Sequence, residues 1–235
     1  MKNILISIIV AAAIAASGYF VGQTMYNAKV AINSAEVKGL AERKVKADLV
    51  NWRLNFKVAS HYKEDLPKLY SDAEKIQTEI IALLLQNGLK KEEINIGVIS
   101  YRPIEFRNRD QKLVDQQHQL SNDIEVQTKK VDLISSVRSS INKLIAKGID
   151  INNFEPEYRF TSLNEIKPDM LKEATRNARA AANEFAQNAG VKVGGIRSAR
   201  QGNFVIRDVG ENYSDTKKID KYVRVVTTIT FYLTD

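Results

Sequence analysis

Cysteine is missing from this 235-residue chain, and proline (4), histidine (2) and tryptophan (1) are scarce. Without cysteine there is no disulfide scaffold, no thiolate nucleophile or thiolate metal site, and no lipid-modified N-terminal cysteine. The two histidines, His61 and His118, stand far apart, and neither has a partner at metal-ligand spacing, so no metal is expected. G-x-S-x-G, P-loop and G-x-G-x-x-G patterns are all missing, and no cofactor is expected. No Pro-, Gly- or Ser-rich linker divides the chain. Apolar residues still make up 44%, enough for a substantial core, and 27% are charged. The net charge of +7 comes from basic residues interspersed with acidic ones. That pattern reads first as a solvated surface and second as a contact with anionic lipid or polymer.

The one long uncharged run is at the start. Ile4 to Gly22 (ILISIIVAAAIAASGYFVG) contains no charge and follows Met1-Lys2-Asn3. As a helix it is about 28 Å long, enough to cross the hydrocarbon of a bilayer. Small residues Ala15-Ala16-Ser17 fit a signal peptidase, but Tyr19, Phe20 and Val21 carry the apolar run past them. The reading is a signal anchor (residues 1–27) with membrane contact through residues 4–22. Cleavage near Ser17 and secretion is the alternative. A cell-envelope protein follows, with the domain outside the cytoplasm.

After a polar spacer, Gln23 to Asn33, the chain interleaves strands and helices. Glu36–Val45 reads as an edge strand, paired as a hairpin with Asp48–Ala59, in which apolar and polar residues alternate from Val50 to Val58 and place Trp52 in the core. Helical periods cover 64–87, about 130–147 and about 168–189. The last carries Ala174, Ala178, Ala181, Ala182, Ala186 and Phe185 on its inner face. Each helix ends in glycine plus an aliphatic residue: Gly88-Leu89, Gly148-Ile149 and Gly190-Val191. Strands are expected at 94–106, 119–128, 154–160, 192–206 and 218–233, with a polar loop or hairpin tip at 107–117 and a bulge at Gly194-Gly195. The fold class is therefore α+β: mixed or antiparallel sheets with three helices packed on them, after one transmembrane or signal helix, with residues 34–235 as a single domain.

Chemistry is harder to find. His118 reads as a solvated loop residue. Glu92-Glu93 and Glu155/Glu157 read as cap or surface-strand residues, and no carboxylate pair is singled out for glycosidase work. Arg102, Arg107 and Arg109, near a strand end, are the candidate anion-binding group, interrupted by Glu105 and Asp110. The aromatic-plus-basic pattern of nucleic-acid binding is not seen. A non-enzymatic role is expected, as a homo-oligomer associating through sheet edges or helix faces. A binding module for a small anionic or cell-wall ligand is the alternative.

Two segments carry a family likeness. Val37-Lys38-Gly39-Leu40-Ala41, running on to Asp48, resembles the opening V-x-G-x-[AG]…(P/A)-D of the SIMPL-domain family. Ala174 to Gly194 (ATRNARAAANEFAQNAGVKVG) resembles its late helix, A-x-x-x-A-[KR]-x-x-A-x-x-[LF]-A-x-x-x-G-x-x-x-G. Ala47 stands where many members have Pro, and Asn177 where Asp is frequent. The resemblance implies a periplasmic or envelope-anchored α+β protein of the bacterial cell envelope, in a family without an established catalytic site, some members of which form ring-like or channel-like oligomers and some of which are linked to oxidative-stress defence. The matched residues Gly39, Ala178, Gly190 and Gly194 read as packing and turn positions.

Overall fold

The apolar run forms helix α1 (Lys2–Val30), longer than the nineteen-residue stretch alone requires. In this computed structural model, which describes residues 2–30 and 33–234, the segment apolar enough to cross a membrane is Ile6–Ala28. The expected polar spacer is thus helical from Gln23 to Val30; Ala31 and Ile32 lie outside the described residues. The helix is unbroken through Ala15-Ala16-Ser17. The described side chains of Ile6–Ala28 are exposed, and none of them is among the described residues of the two apolar cores.

The chain divides into two compact units. One comprises Met1–Arg43, Asn164–Val205 and Arg224–Asp235; the other comprises Lys44–Leu163 and Ile206–Val223. Beyond α1 the elements are β1 (Ser34–Lys46), β2 (Leu49–Ser60), α2 (Leu66–Gln86), β3 (Ile94–Ile96), β4 (Ser100–Arg107), β5 (Leu113–Thr128), α3 (Leu133–Ala146), β6 (Ile151–Asn153), β7 (Glu157–Arg159), α4 (Leu163–Asn188), β8 (Lys192–Gln201), β9 (Val205–Asp208) and β10 (Asp220–Thr234). This is α+β, with every strand pair whose register is described antiparallel.

A four-stranded sheet runs β1-β10-β8, with β9 also on β10. A six-stranded sheet runs β3-β5-β2-β6, with β4 on β5 and β7 on β2. The expected β1–β2 hairpin does not form, because the two strands enter different sheets. Their connector Ala47-Asp48 lacks the Asn-Gly chemistry of a two-residue hairpin turn. Its backbone bonds outward instead, Ala47 N–H to Ile219 O (2.8 Å) and Asp48 N–H to Arg159 O (3.0 Å).

In the six-stranded unit, α2 and α3 cover a core of Trp52, Leu54, Phe56, Ile80, Leu84, Ile124, Ile134 and Ile141, all 1% exposed or less. In the four-stranded unit, α4 buries Met170, Ala174, Ala178, Ala182 and Ala186, a stripe at spacing four. Small side chains there let the helix lie close to the strands, and Gly39 marks the closest point. A Cβ on Gly39 would overlap Ala174 O and lie 2.5 Å from Ala178 N. Phe185, expected inside, is 54% exposed, a quarter-turn off the drifting alanine stripe. The last α4 turn, like those of α2 and α3, closes through a glycine at positive φ followed by an aliphatic N–H bonded five residues back: Leu89 to Leu84 O, Ile149 to Leu144 O, Val191 to Ala186 O.

Candidate functional site

The β4–β5 pair is the most exposed part of the six-stranded sheet. β2 pairs with β5 only as far as Ser60↔His118, so residues 113–117 of β5 have β4 as their one strand neighbour. β4 and the first part of β5 therefore form a two-stranded ribbon whose residues 104–117 run past the end of β2, closed by a turn at 108–112 that is shorter than the 107–117 loop or hairpin tip expected. Tyr101, Phe106, Leu113 and Val114 on it are each 45–63% exposed. A two-stranded hairpin without a covered face is marginal in water, so this one is held at its base. There Tyr101 Oη bonds His118 Nδ1 (2.7 Å) and His61 Nδ1 pairs with Asp115 Oδ1 (3.1 Å). His118 is accordingly not a solvated loop residue. It sits buried on β5 in the same inward register as Leu120, Asn122, Ile124 and Val126.

The three candidate arginines all lie on this ribbon and do not converge. Arg102 opposes Gln119, and Arg107 lies five residues further along β4, roughly 16 Å away at strand rise. Arg107 is committed: its guanidinium bonds Glu105 (2.6 Å) and Gln111 O (2.9 Å). Arg109 is an exposed turn residue.

An open groove of about 870 Å³ on the six-stranded sheet was not anticipated. It is lined by Glu92, Glu93, Glu125, Glu155 and Glu157 around Arg53, which stands 4.4 Å over the Phe154 ring. Trp52 lines it only by its edge; the ring is 1% exposed and donates to Asn153 Oδ1 and Phe154 O. Burial pushes the Glu93 carboxyl up, but bonds from Thr128 Oγ1 and Lys90 N–H, with Lys130 nearby, outweigh it and hold Glu93 below its ordinary value. That is the wrong direction for a general acid. Glu157 is paired with Arg159 at 2.7 Å. Among the described residues no group of three or more His, Asp or Glu is arranged to hold a metal.

A buried ion pair was also missed. Lys221 and Asp208, with fully buried side chains, bond each other; Asp208 also accepts from Ser214 Oγ (2.6 Å) and Lys217 N–H (2.8 Å), and Lys221 donates to Asp215 O (2.8 Å). Burial raises the Asp208 carboxyl, and these donors more than reverse it, leaving it below its ordinary value. The arrangement clasps the loop between β9 and β10. Asp48 acts similarly just before α4, accepting from Thr161 N–H, Thr161 Oγ1 and Ser162 N–H at 2.7–2.9 Å.

The motif residues stand in the four-stranded unit as packing elements. Gly39 admits α4, Gly190 closes it, and Gly194 lies in the bulge of β8 against β10, where Phe231↔Ile196 and Leu233↔Val193 bracket the irregularity. Asn177, at the variable motif position, donates from its amide to Leu40 O (2.8 Å), a bond a carboxylate could not make.

The family model for SIMPL, a protein of unknown function (DUF541), matches residues 35–225. The chain belongs to the SIMPL family. No curated protein sequence matches it. Among solved structures, this SIMPL chain is similar to the de novo designed protein Foldit4 (10% identity, 44% of this chain and 91% of that one, TM-score 0.26). It is also similar to a hydantoinase/carbamoylase family amidase from Burkholderia ambifaria (13%, 49% and 29%, 0.22). A third is the regulatory subunit of aspartate kinase from Thermus thermophilus (14%, 82% and 88%, 0.21). Scores this low carry no functional argument. Gly39 and Ala178, within the matched range, are where β1 and α4 approach each other most closely.

Proposed function

We propose that this SIMPL protein is a non-catalytic component of the cell envelope, held in the membrane by α1, with its folded part in the periplasm and copies associating through the β4–β5 ribbon. The carrying observation is the ribbon: residues 104–117 run past the end of β2 and expose Phe106 and Leu113–Val114 to water. Pro103, which has no N–H, and the charges of Arg102 and Arg107 oppose simple strand addition along β4. The association therefore uses the ribbon's faces. Anion binding through Arg102, Arg107 and Arg109 has less support, because those side chains are dispersed and Arg107 is already paired.

Light scattering on residues 33–235 tests the proposal. A multimer is expected, shifted to monomer by Phe106→Ser with Val114→Ser at unchanged melting temperature. A wild-type monomer at the highest soluble concentration removes it. The link to oxidative-stress defence rests on family membership, and a deletion strain that survives peroxide as well as its parent would remove that part alone.

A further inference from the structure

A second concavity, of about 530 Å³, lies in the four-stranded unit beside α4. Lys172, Arg176, Arg179 and Asn183, at helical spacing i, i+4, i+7 and i+11, form its wall; Ile196 and Phe231, paired across β8 and β10, form its floor. Ile196 is 52% exposed, beyond the half-buried Val193 and Gly194 where α4 reaches β8. No carboxylate lines the trough. Arg179 is fixed there, donating to Gly194 O (3.0 Å) and standing 5.0 Å from the Phe231 ring. Lys172 and Arg176 have no ion-pair partner among the described residues.

Chain length sets where this trough can be. Leu233 N–H bonds Asn33 O (2.9 Å), and Phe231 is two residues back along β10. Asn33 follows the end of α1 by three residues, and the apolar span ends at Ala28. Summing Cα steps, helix rise and strand rise, the trough floor is within about 25 Å of the end of that span. With α1 in a bilayer, an apolar-floored trough with unpaired cations is tethered beside the headgroups.

We propose that this trough binds an anionic phospholipid of the bilayer that holds α1. Lys172 and Arg176 meet the phosphate, and Ile196, the exposed apolar residue of the floor, meets the upper acyl chain. The inference rests on the membrane reading of α1 but is separable from it. Residues 33–235, which hold all the described core residues, are incubated with vesicles of phosphatidylcholine alone or with 30% phosphatidylglycerol (roughly three lipids in ten, enough for a negative surface potential). Binding is expected only to the anionic vesicles. Lys172→Ala with Arg176→Ala is expected to weaken it roughly thirtyfold. Ile196→Ser, which changes no charge, is expected to weaken it severalfold, a loss that a diffuse basic surface would not show. Equal binding to both vesicles, wild-type binding by either variant, or competition by millimolar glycerol phosphate overturns the proposal. Carbonate extraction of the full chain reads the anchor separately. Release by carbonate together with binding of residues 33–235 to anionic vesicles supports the trough and removes the anchor; retention without vesicle binding overturns the trough alone.

Discussion

Replacing Gly39 by alanine is the sharpest perturbation of the packing of α4 on its sheet. The added Cβ would overlap Ala174 O and sit 2.5 Å from Ala178 N and 2.8 Å from Ala178 Cβ. Two of those atoms are backbone, so no rotamer change relieves the contact. Strand β1 and helix α4 must separate by roughly 1 Å, loosening the stripe from Ala174 to Ala186. Overpacking of this kind costs about 2–3 kcal/mol, and the stiffer unfolded chain returns up to about 1 kcal/mol. The net loss of about 2 kcal/mol corresponds to a fall in melting temperature of about 4–8 °C for a chain this size. Thermal unfolding of residues 33–235 by circular dichroism reads it. Gly195→Ala is the control, since a Cβ there meets nothing within 4 Å, and it is expected to be neutral or slightly stabilising. Adding Ala178→Gly removes only the Cβ contact and should restore less than half the loss. Gly39→Ala melting within about 1 °C of wild type would refute the packing argument.

Lys221→Met strands the buried Asp208 carboxylate and should cost about 3–5 kcal/mol in urea unfolding; a smaller effect than Gly39→Ala would contradict the clasp. Asp208, Asp48 and Glu93 are all held below their ordinary values. Their contribution is therefore full above the unfolded carboxylate range of about 4 and lost as pH falls through the depressed folded values. Urea midpoints should be flat from about pH 7 to 5 and fall below about 4; a midpoint that rises on acidification refutes the sign. Asp48→Ala removes three hydrogen bonds at the start of α4 and should cost about 2 kcal/mol, read by the same unfolding curves.

Elements were legible where local rules decide them. The alternation from Val50 to Val58 placed Trp52 correctly, and the glycine–aliphatic stops of α2, α3 and α4 all close as expected. Pairing was less legible, because sheet partners are non-local. β1 and β2 are adjacent in sequence yet belong to different sheets. Helix α4 starts at Leu163, ahead of the expected start at about 168, and carries Pro168 inside it. The 94–106 strand is two strands, broken at Gly97, whose N–H bonds Asp123 O. Two buried polar residues could have been found by extending the alternation: Lys221 shares the inward parity of Val223 and Val225, and His118 that of Leu120 and Ile124. The acidic groove and the α4 trough draw on residues far apart in the chain, and no local pattern announces either.

The absence of cysteine supplies the most direct test of the central claim, that α1 holds the folded part in the membrane and beyond it. Val98→Cys and Tyr213→Cys, at positions 89% and 96% exposed, give the full chain single reactive thiols. In intact spheroplasts a membrane-impermeant maleimide should label both, on a membrane-bound protein whose mass includes α1. Labelling only after the membrane is breached would contradict the account.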